Sequence, residues 1–370
     1  MADMFVNIGG NYKETDKAWV NVGGVWREVS NVWVNIGGTW REVSFEKIVK
    51  YFGAVTPLSA IRYDASATTI GDYALFGGGY INNIGGATNS VNAYNSSLVR
   101  STRTALSQAR GSLAATTIGG YALFGGGYNY SGTPFRDTVD TYNTSLTRGT
   151  ATALSQARNQ LSATTVGTYA LFGGGNNFGN KSIVDAYNTS LVHTTPTALS
   201  LSRRSLGATS VGNYALFGGD GNIVDAYNTS LVHSTPTTLS AEMYNLAATT
   251  IGDYALFAGH WQHSTVNAYN KSLVRTIPTS LSVVRRYLAA TTIKNAELAD
   301  NYALFVGGQG SSYENVVDAY NTSLVRTNPD GLSVARSYVS ATSVGGYALF
   351  GGGEQAASDY VDTVDVYYVD

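Results

Sequence analysis

The hydrophobic positions of this chain fall in short blocks that return about every 46 residues. One block reads Tyr-Ala-Leu-Phe and is followed by small residues. Such a block is typical of a short strand that is buried on both faces, and no unit contains a helical apolar period of ten or more residues. The pattern therefore predicts an all-β chain. The seven copies of this block begin at Tyr73, Tyr121, Tyr169, Tyr214, Tyr254, Tyr302 and Tyr347.

Two further blocks keep the same period. Copies of Val-(Asp/Asn)-x-Tyr-Asn begin at Val91, Val139, Val184, Val224, Val266 and Val317, with a degenerate seventh copy at Val364. Copies of Leu-Ser-x-x-Arg begin at Leu58, Leu106, Leu154, Leu199, Leu281 and Leu332, and the copy at Leu239 has Met243 in the arginine position. Turn residues separate the blocks, so each unit reads as four short strands. Seven such units predict a seven-bladed β-propeller.

The two ends of the repeat region complement each other. The last unit stops after its third strand, whereas the segment Val49 to Ser59, ahead of the first unit, aligns with the fourth strands of the other units. We expect this N-terminal strand to complete the last blade and close the ring, which would leave no open sheet edge.

In the order of these blocks, residues 46–370 resemble the Kelch-type β-propellers. The shared features are the glycine run after an apolar strand, as in Gly125–Gly127, the tyrosine and polar turn of the next strand, and the terminal arginine. The tryptophan that is usual in the family's fourth strand is absent, and Leu98 and Val99 stand there instead. The resemblance implies the fold and no particular function, because one fold hosts many functions.

Residues 1–45 follow a different repeat, with a spacing of 14 residues. Pairs of glycines between short alternating apolar segments predict β-hairpins. These Trp-Val-Asn-x-Gly-Gly repeats resemble segments of tail-associated proteins of bacteriophages and prophage-derived particles. We expect the region to anchor or oligomerise the protein, and a small globular cap without a special partner is the alternative. The residues assigned to anchoring are Trp19, Trp26, Trp33 and Trp40.

Composition excludes several classes of function. Charged residues make up 13% of the chain and the net charge is −2, so there is no basic surplus for binding nucleic acid or an anionic membrane. The absence of cysteine excludes disulfides, thiolate metal sites and cysteine nucleophiles. No apolar run approaches the ~20 residues of a membrane span. We therefore expect neither nucleic acid nor membrane as a partner.

The charged residues that repeat are expected to be structural. Asp140, Asp185, Asp225, Asp318 and Asp365 are equivalent by repeat, whereas a catalytic pair of carboxylates needs two different environments. The repeated arginines Arg62, Arg110, Arg158, Arg203, Arg285 and Arg336 are expected to pair with them between blades, and anion binding near the axis is the alternative. The recurring Asn-x-Ser/Thr is interpreted as turn chemistry rather than as a glycan acceptor. We predict no catalytic residue and no cofactor.

The connections between the second and third strands are the part of the sequence that does not repeat, and they share one face of the predicted ring. His260 and His263 flank Trp261 in one of them, where no third acidic ligand is adjacent, so an exposed loop is expected rather than a metal site. Aromatic rings with nearby amides and charges suit recognition of sugars or protein surfaces. The predicted ligand-binding residues are Tyr80, Tyr128, Tyr130, Phe135, Arg136, Phe178, His260, Trp261, His263, Tyr313 and Glu314. The insertion Lys294–Asn301 is expected on the opposite face.

These observations lead to the hypothesis of a non-enzymatic receptor-binding or tail-fibre component of a phage or phage-tail-like particle, extracellular when it acts. The loop face would bind a host cell-surface glycan or protein. Residues 1–45 would bind other tail or baseplate proteins, or form a homo-oligomer. Two alternatives stay open, namely a cellular or cell-surface Kelch-type interaction scaffold or adhesin, and a propeller glycosidase or lyase.

Overall fold

The computed structural model describes residues 47–81, 86–130, 134–293 and 301–370, and the backbone of six strands before them. The chain divides into two compact units, Met1–Ile48 and Val49–Asp370. All regular structure in the described ranges is β, which confirms the predicted fold class. Among the described residues, no helix has the length and apolarity needed to cross a membrane. The insertion at residues 294–300 lies outside these ranges.

The first unit consists of three antiparallel strand pairs, as its 14-residue repeat predicts. The pairs are Phe5–Ile8 with Asn11–Glu14, Ala18–Val22 with Val25–Val29, and Val32–Ile36 with Thr39–Val43. In the second and third pairs the registers are equivalent, with Asn21 opposite Trp26 and Asn35 opposite Trp40. The anchoring role predicted for the four tryptophans concerns side chains that lie outside the described part of the structure.

The second unit is a seven-bladed β-propeller, in which each blade is a four-stranded antiparallel sheet. The first strands of blades 1 to 7 are Ser66–Ile70, Ala114–Ile118, Ser162–Val166, Gly207–Val211, Ala247–Ile251, Ala289–Ile293 and Ser340–Val344. The second strands are Tyr73–Gly77, Tyr121–Gly125, Tyr169–Gly173, Tyr214–Gly218, Tyr254–Ala258, Tyr302–Val306 and Tyr347–Gly351. Each second strand carries one copy of the Tyr-Ala-Leu-Phe block.

The third strands contain the repeated Tyr and the fourth strands form the outer edge of each blade. The third strands are Val91–Asn95, Val139–Asn143, Val184–Asn188, Val224–Asn228, Val266–Asn270, Val317–Tyr320 and Val364–Val369. The fourth strands of blades 1 to 6 are Arg100–Arg103, Arg148–Ala151, His193–Thr194, His233–Ser234, Arg275–Thr276 and Arg326–Thr327. A short extra pair, Glu354–Ala356 with Asp359–Tyr360, lies in the connection of blade 7 between its second and third strands.

The ring is closed by the N-terminal strand, as predicted. Val49–Val55 pairs antiparallel with Val364–Val369 and supplies the fourth strand of blade 7. The register runs from Val55 opposite Val364 to Val49 opposite Val369, with one irregularity between Val366 and Tyr367. The pairing joins the two ends of the propeller in one sheet, so ring closure needs no further strand.

Neighbouring blades pack through the phenylalanine of each second strand. The ring of Phe124 in blade 2 lies so close to Gly77 in blade 1 that a Cβ atom there would come within 2.9 Å of it. Phe172 approaches Gly125 in the same way, at 2.8 Å. Glycine therefore ends most of these strands because the next blade occupies the space of a side chain. The core lies between the sheets, where Phe124 packs with Leu75 of the preceding blade.

The repeated arginines and aspartates pair inside the propeller, but each pair forms within one blade and not between blades as we expected. The Arg110 guanidinium lies 2.8 Å from the Asp140 carboxylate, and both side chains are fully buried. Each arginine belongs to the segment that leads into a blade, and its aspartate belongs to the third strand of that same blade. The other pairs are Arg158–Asp185, Arg203–Asp225, Arg285–Asp318 and Arg336–Asp365. Blade 1 has Asn92 beside Arg62, and blade 5 has Asn267 beside Met243.

The recurring Asn-x-Ser/Thr closes the turn between the third and fourth strands. In blade 1 the side-chain oxygen of Asn95 accepts hydrogen bonds from the backbone N–H groups of Ser97 and Val99, at 3.1 and 2.9 Å. Asn188 and Asn228 bind their turns in the same way. These hydrogen bonds explain why asparagine recurs at this position, because its side chain stabilises the turn.

Candidate ligand-binding cleft

The connections between second and third strands and the segments that lead into first strands meet at one face of the propeller. A cleft of about 570 Å³ opens there. This volume is in the range of small-molecule and cofactor sites in proteins. Its lining comes from blades 1, 2, 3, 4 and 7 and includes Tyr63, Asp64, Tyr80, Ser112, Tyr128, Tyr130, Phe135, Gln160, Asn176, Arg204, Tyr338, Glu354 and Tyr360.

Aromatic rings form a connected arc along this cleft. The Tyr63 ring stacks on the Tyr360 ring with centroids 4.4 Å apart, and it meets the Tyr80 ring at 5.4 Å. From Tyr80 the contacts continue to Tyr130 at 6.1 Å and from there to Tyr128 at 4.8 Å. Because these residues come from blades 1, 2 and 7, the arc is made by the fold and not by one loop.

The arc continues at both ends. Tyr63 meets Tyr338 at 6.0 Å, and Tyr338 stacks on Tyr287 at 4.3 Å. At the other end Phe135 lies 5.0 Å from Phe178, whose side chain is 90% exposed. Tyr130, which is 63% exposed, and Phe178 therefore present aromatic surface to solvent on this face, which suits stacking against a flat or apolar ligand surface.

A second feature of this face is a ring of residues around the propeller axis, which we call the collar. Each blade contributes the residue two positions after its repeated arginine or methionine, and all seven have a positive φ between 49° and 56°. Six backbone hydrogen bonds of 2.8–3.3 Å link neighbouring members, each N–H donating to the carbonyl of the preceding blade. The collar consists of Asp64, Ser112, Gln160, Ser205, Asn245, Tyr287 and Tyr338.

The collar surrounds the mouth of an axial channel. Below it, small residues of the first strands line a cavity of about 300 Å³, among them Ala67, Ala115 and Ala163. Hydroxyl pairs join neighbouring first strands around the axis, as between Thr68 and Thr117 at 2.9 Å. Small residues and paired hydroxyls thus form the wall of the channel, and the distinctive groups of this face are those of the collar and the cleft.

Asp64 is the acidic member of the collar. The residue as a whole is half-buried, and its carboxylate accepts a hydrogen bond from the Ser112 hydroxyl. Burial raises the pKa of Asp64 to about 6, because removal from water disfavours the ionised form. Burial also raises the pKa of Tyr80 and Tyr338 above the usual phenol value. Around neutral pH the cleft therefore combines a carboxylate with neutral phenols.

The sequence-predicted residues divide into two groups. Tyr80, Tyr128, Tyr130 and Phe135 line the cleft together. Phe178 contacts this group through Phe135, as described above.

The other predicted residues lie beside the cleft or away from it. Tyr313 hydrogen-bonds the carboxylate of Glu354, which lines the cleft, while Glu314 accepts a 3.3 Å hydrogen bond from Ser312. Arg136 is half-buried and its backbone N–H binds the Gly127 carbonyl. Trp261 is 55% exposed and is not among the residues that line the cleft.

His260 differs from the exposed loop residue that we expected. Its side chain is only 3% exposed, and its ring stacks on His263 with centroids 4.2 Å apart. The Nδ1 atom of His260 accepts a 3.1 Å hydrogen bond from the Gln262 N–H, which places the proton of the neutral ring on Nε2. Burial and the neighbouring His263 lower the pKa of His260. The histidine therefore supports the loop and offers no surface to a ligand.

Sequence reasoning missed the collar and the tyrosines next to it. Between the repeated arginine and the following apolar residue, every unit has two positions that vary from blade to blade, for example Tyr63 and Asp64 in blade 1. That local variation inside a repeated segment was the available signal. It was less visible than the long variable loops because it affects only two residues per unit.

No protein-family model matches the chain, and no curated protein matches it at a significant level. Within the described ranges, no group of three or more histidine, cysteine or acidic residues is placed to hold a metal ion.

Proposed function

We propose that this protein is a non-enzymatic binding protein whose cleft recognises a carbohydrate. The observation that carries the proposal is the aromatic arc, in which rings from three blades converge beside amide and carboxylate groups. Sugar rings have apolar faces that pack on aromatic rings, and their hydroxyls need amides and carboxylates as partners. Gln160 and Asn176 supply the amides, and Asp64 and Glu354 supply the carboxylates.

The test is a glycan array probed with the full chain, followed by titration of any glycan that is bound. The informative variant is Tyr130→Ala, because this ring is 63% exposed and its loss should not disturb the core. Removing one stacking ring should weaken binding about tenfold and leave the melting temperature unchanged. Full affinity in Tyr130→Ala, or no bound glycan at all, would refute the proposal.

Two matched variants control for effects outside the cleft. Trp261→Ala removes an exposed ring from the same face but outside the cleft lining, and Val99→Ala removes an exposed side chain from a turn between third and fourth strands. Both should bind as the wild type does. If Trp261→Ala weakened glycan binding and Tyr130→Ala did not, the binding site would lie at the loop of blade 5 instead.

We further propose that the protein works as a receptor-binding component of a phage or phage-tail-like particle and that its glycan is on a host cell surface. The support is the resemblance of residues 1–45 to phage tail-associated hairpin repeats and of the propeller to the Kelch type. Residues 1–45 would attach the protein to other tail or baseplate proteins. Native mass spectrometry of the full chain and of a chain without residues 1–45 tests this attachment, and identical monomers with no tail component bound would contradict it.

One observation favours a second candidate, glycoside hydrolysis. Asp64 and Glu354 line the same cleft in different surroundings, since Asp64 binds a serine hydroxyl whereas Glu354 accepts a 3.3 Å hydrogen bond from the Ser358 N–H. Hydrolysis of this type uses two carboxyl groups of different pKa. Mass analysis of bound glycans after long incubation separates the candidates, because shortened oligosaccharides would show an enzyme.

A further inference from the structure

The fold does not require a carboxylate at the position of Asp64. The other six collar positions carry Ser112, Gln160, Ser205, Asn245, Tyr287 and Tyr338, all of them neutral, and the same backbone geometry forms there. A neutral side chain at position 64 would therefore serve the collar equally well. Glycine would relieve the positive φ, yet none of the seven blades uses it.

The carboxylate also lacks a basic counterpart. Among the described residues, no lysine or arginine forms an ion pair with Asp64, whose acceptor bond comes from Ser112. The rings of Tyr63, Tyr80 and Tyr338 belong to the same cleft lining. Burial disfavours the ionised carboxylate here, as its pKa of about 6 indicates. A cation beside Asp64 would offset the free-energy cost of ionising this buried carboxyl group.

Aromatic rings of this face already bind a cation within the protein. The guanidinium of Arg286 lies 4.8 Å from the centroid of the Tyr287 ring, and Tyr287 stacks on Tyr338. Such contacts are attractive because the ring face carries negative potential. A carboxylate that shares a cleft with aromatic rings is accordingly suited to a protonated amine, which forms charge-assisted hydrogen bonds to the carboxylate and packs against the rings.

We propose that Asp64 and the neighbouring rings of Tyr63 and Tyr338 bind a protonated amino group, so that the ligand of the cleft is a glycan with a free amino sugar. This inference rests on the proposed glycan-binding function and adds the chemical class of the ligand. Arg204 lines the cleft from blade 4, and its positive charge suits an acidic group elsewhere on the same glycan.

The experiment compares two probes that differ only at the nitrogen, the tetramer of β-1,4-linked glucosamine and its fully N-acetylated form. Calorimetric titration of the full chain at neutral pH should give an affinity for the amine form ~10-fold to 100-fold higher, which is the range of one charge-assisted contact. Asp64→Asn keeps a residue that tolerates the positive φ and should remove this preference. Asp72→Asn is the matched control, because this exposed aspartate lies in the turn between the first and second strands of blade 1, and it should retain the preference.

The outcomes separate this inference from the proposed function. Equal affinity for both tetramers, or an unchanged preference in Asp64→Asn, overturns the amine site and leaves glycan binding intact. If neither tetramer binds, the Asp64 carboxyl carbon is followed by NMR with saturating glucosamine. A lowered pKa of Asp64 then supports the site, and an unchanged one overturns it. Loss of all glycan binding on the array refutes the proposed function itself.

Discussion

Blade 1 offers a sharp test of the pairing inside the propeller. Arg62 is fully buried, but its guanidinium donates to the amide oxygen of Asn92, where five other blades have a carboxylate. The amide nitrogen of Asn92 has no hydrogen-bond partner among the described residues. We predict that Asn92→Asp stabilises the protein, because the buried Arg62 guanidinium would then face a carboxylate, as Arg110 faces Asp140 at 2.8 Å.

The magnitude follows from the burial of the guanidinium. Burial lowers the pKa of Arg62 to about 10, which corresponds to ~3 kcal/mol for keeping the group charged in the fold. A carboxylate recovers part of this amount, because its own desolvation opposes the attraction. We expect the free energy of unfolding to rise by about 1 to 2 kcal/mol and the melting temperature by roughly 2 °C.

The assay is urea unfolding followed by circular dichroism, with Asn267→Asp as the matched control. In blade 5, Met243 stands in the arginine position, whereas Arg275 is equivalent to Arg100. The two variants therefore differ in the inner arginine alone. Asn267→Asp should lower the free energy of unfolding by about 1 kcal/mol or more, since a buried carboxylate would lack that partner. Equal effects in the two blades would refute the reasoning.

Four further predictions concern the repeat, the collar, the loop of blade 5 and ring closure. Tyr142→Phe removes the 2.6 Å hydrogen bond to the Thr104 carbonyl and should lower the free energy of unfolding by about 1 kcal/mol in urea. Asp64→Asn should raise the melting temperature above pH 6, where the folded wild type holds an ionised, buried carboxylate. Because the pKa of Asp64 is raised to about 6 in the fold, this gain should disappear below about pH 4, where the carboxyl group is protonated in both states. A difference in melting temperature that does not depend on pH would contradict this. Because the pKa of His260 is lowered, its imidazole should titrate below ~6.5 by NMR, and the stability of the protein should fall as the pH decreases below ~6.5. A titration midpoint at or above ~6.5 would count against the stacked, buried ring. Deleting residues 1–46 should leave a cooperative thermal transition, whereas a deletion that extends through Val49–Val55 should abolish it by exposing the edge of blade 7.

The architecture could be predicted from the sequence because each feature recurs seven times. Equivalent residues meet equivalent neighbours, so the spacing of Tyr73 and its copies was enough to give the blades and their strands. Ring closure followed from one missing strand at the end and one spare strand at the start. The buried pairing of Arg110 with Asp140 followed from the same equivalence. Repetition makes local patterns sufficient, since every blade packs against a copy of itself.

The cleft was only partly predictable, because its residues escape that repetition. The variable loops indicated the face on which the cleft opens and four residues of its lining, Tyr80, Tyr128, Tyr130 and Phe135, whereas the collar position of Asp64 gave only a weak signal. The Tyr63 ring, which precedes the first blade, stacks on Tyr360 of the last blade, so the two residues are far apart in the sequence.

By itself the sequence determined the number of blades, their strands and the closure of the ring, since these depend on hydrophobic period and turn chemistry alone. Only the tertiary structure decided which unlike side chains share a cleft, why His260 is buried and where Asp64 stands. Those contacts are made once, between blades that are distant in sequence, and no periodic pattern records them.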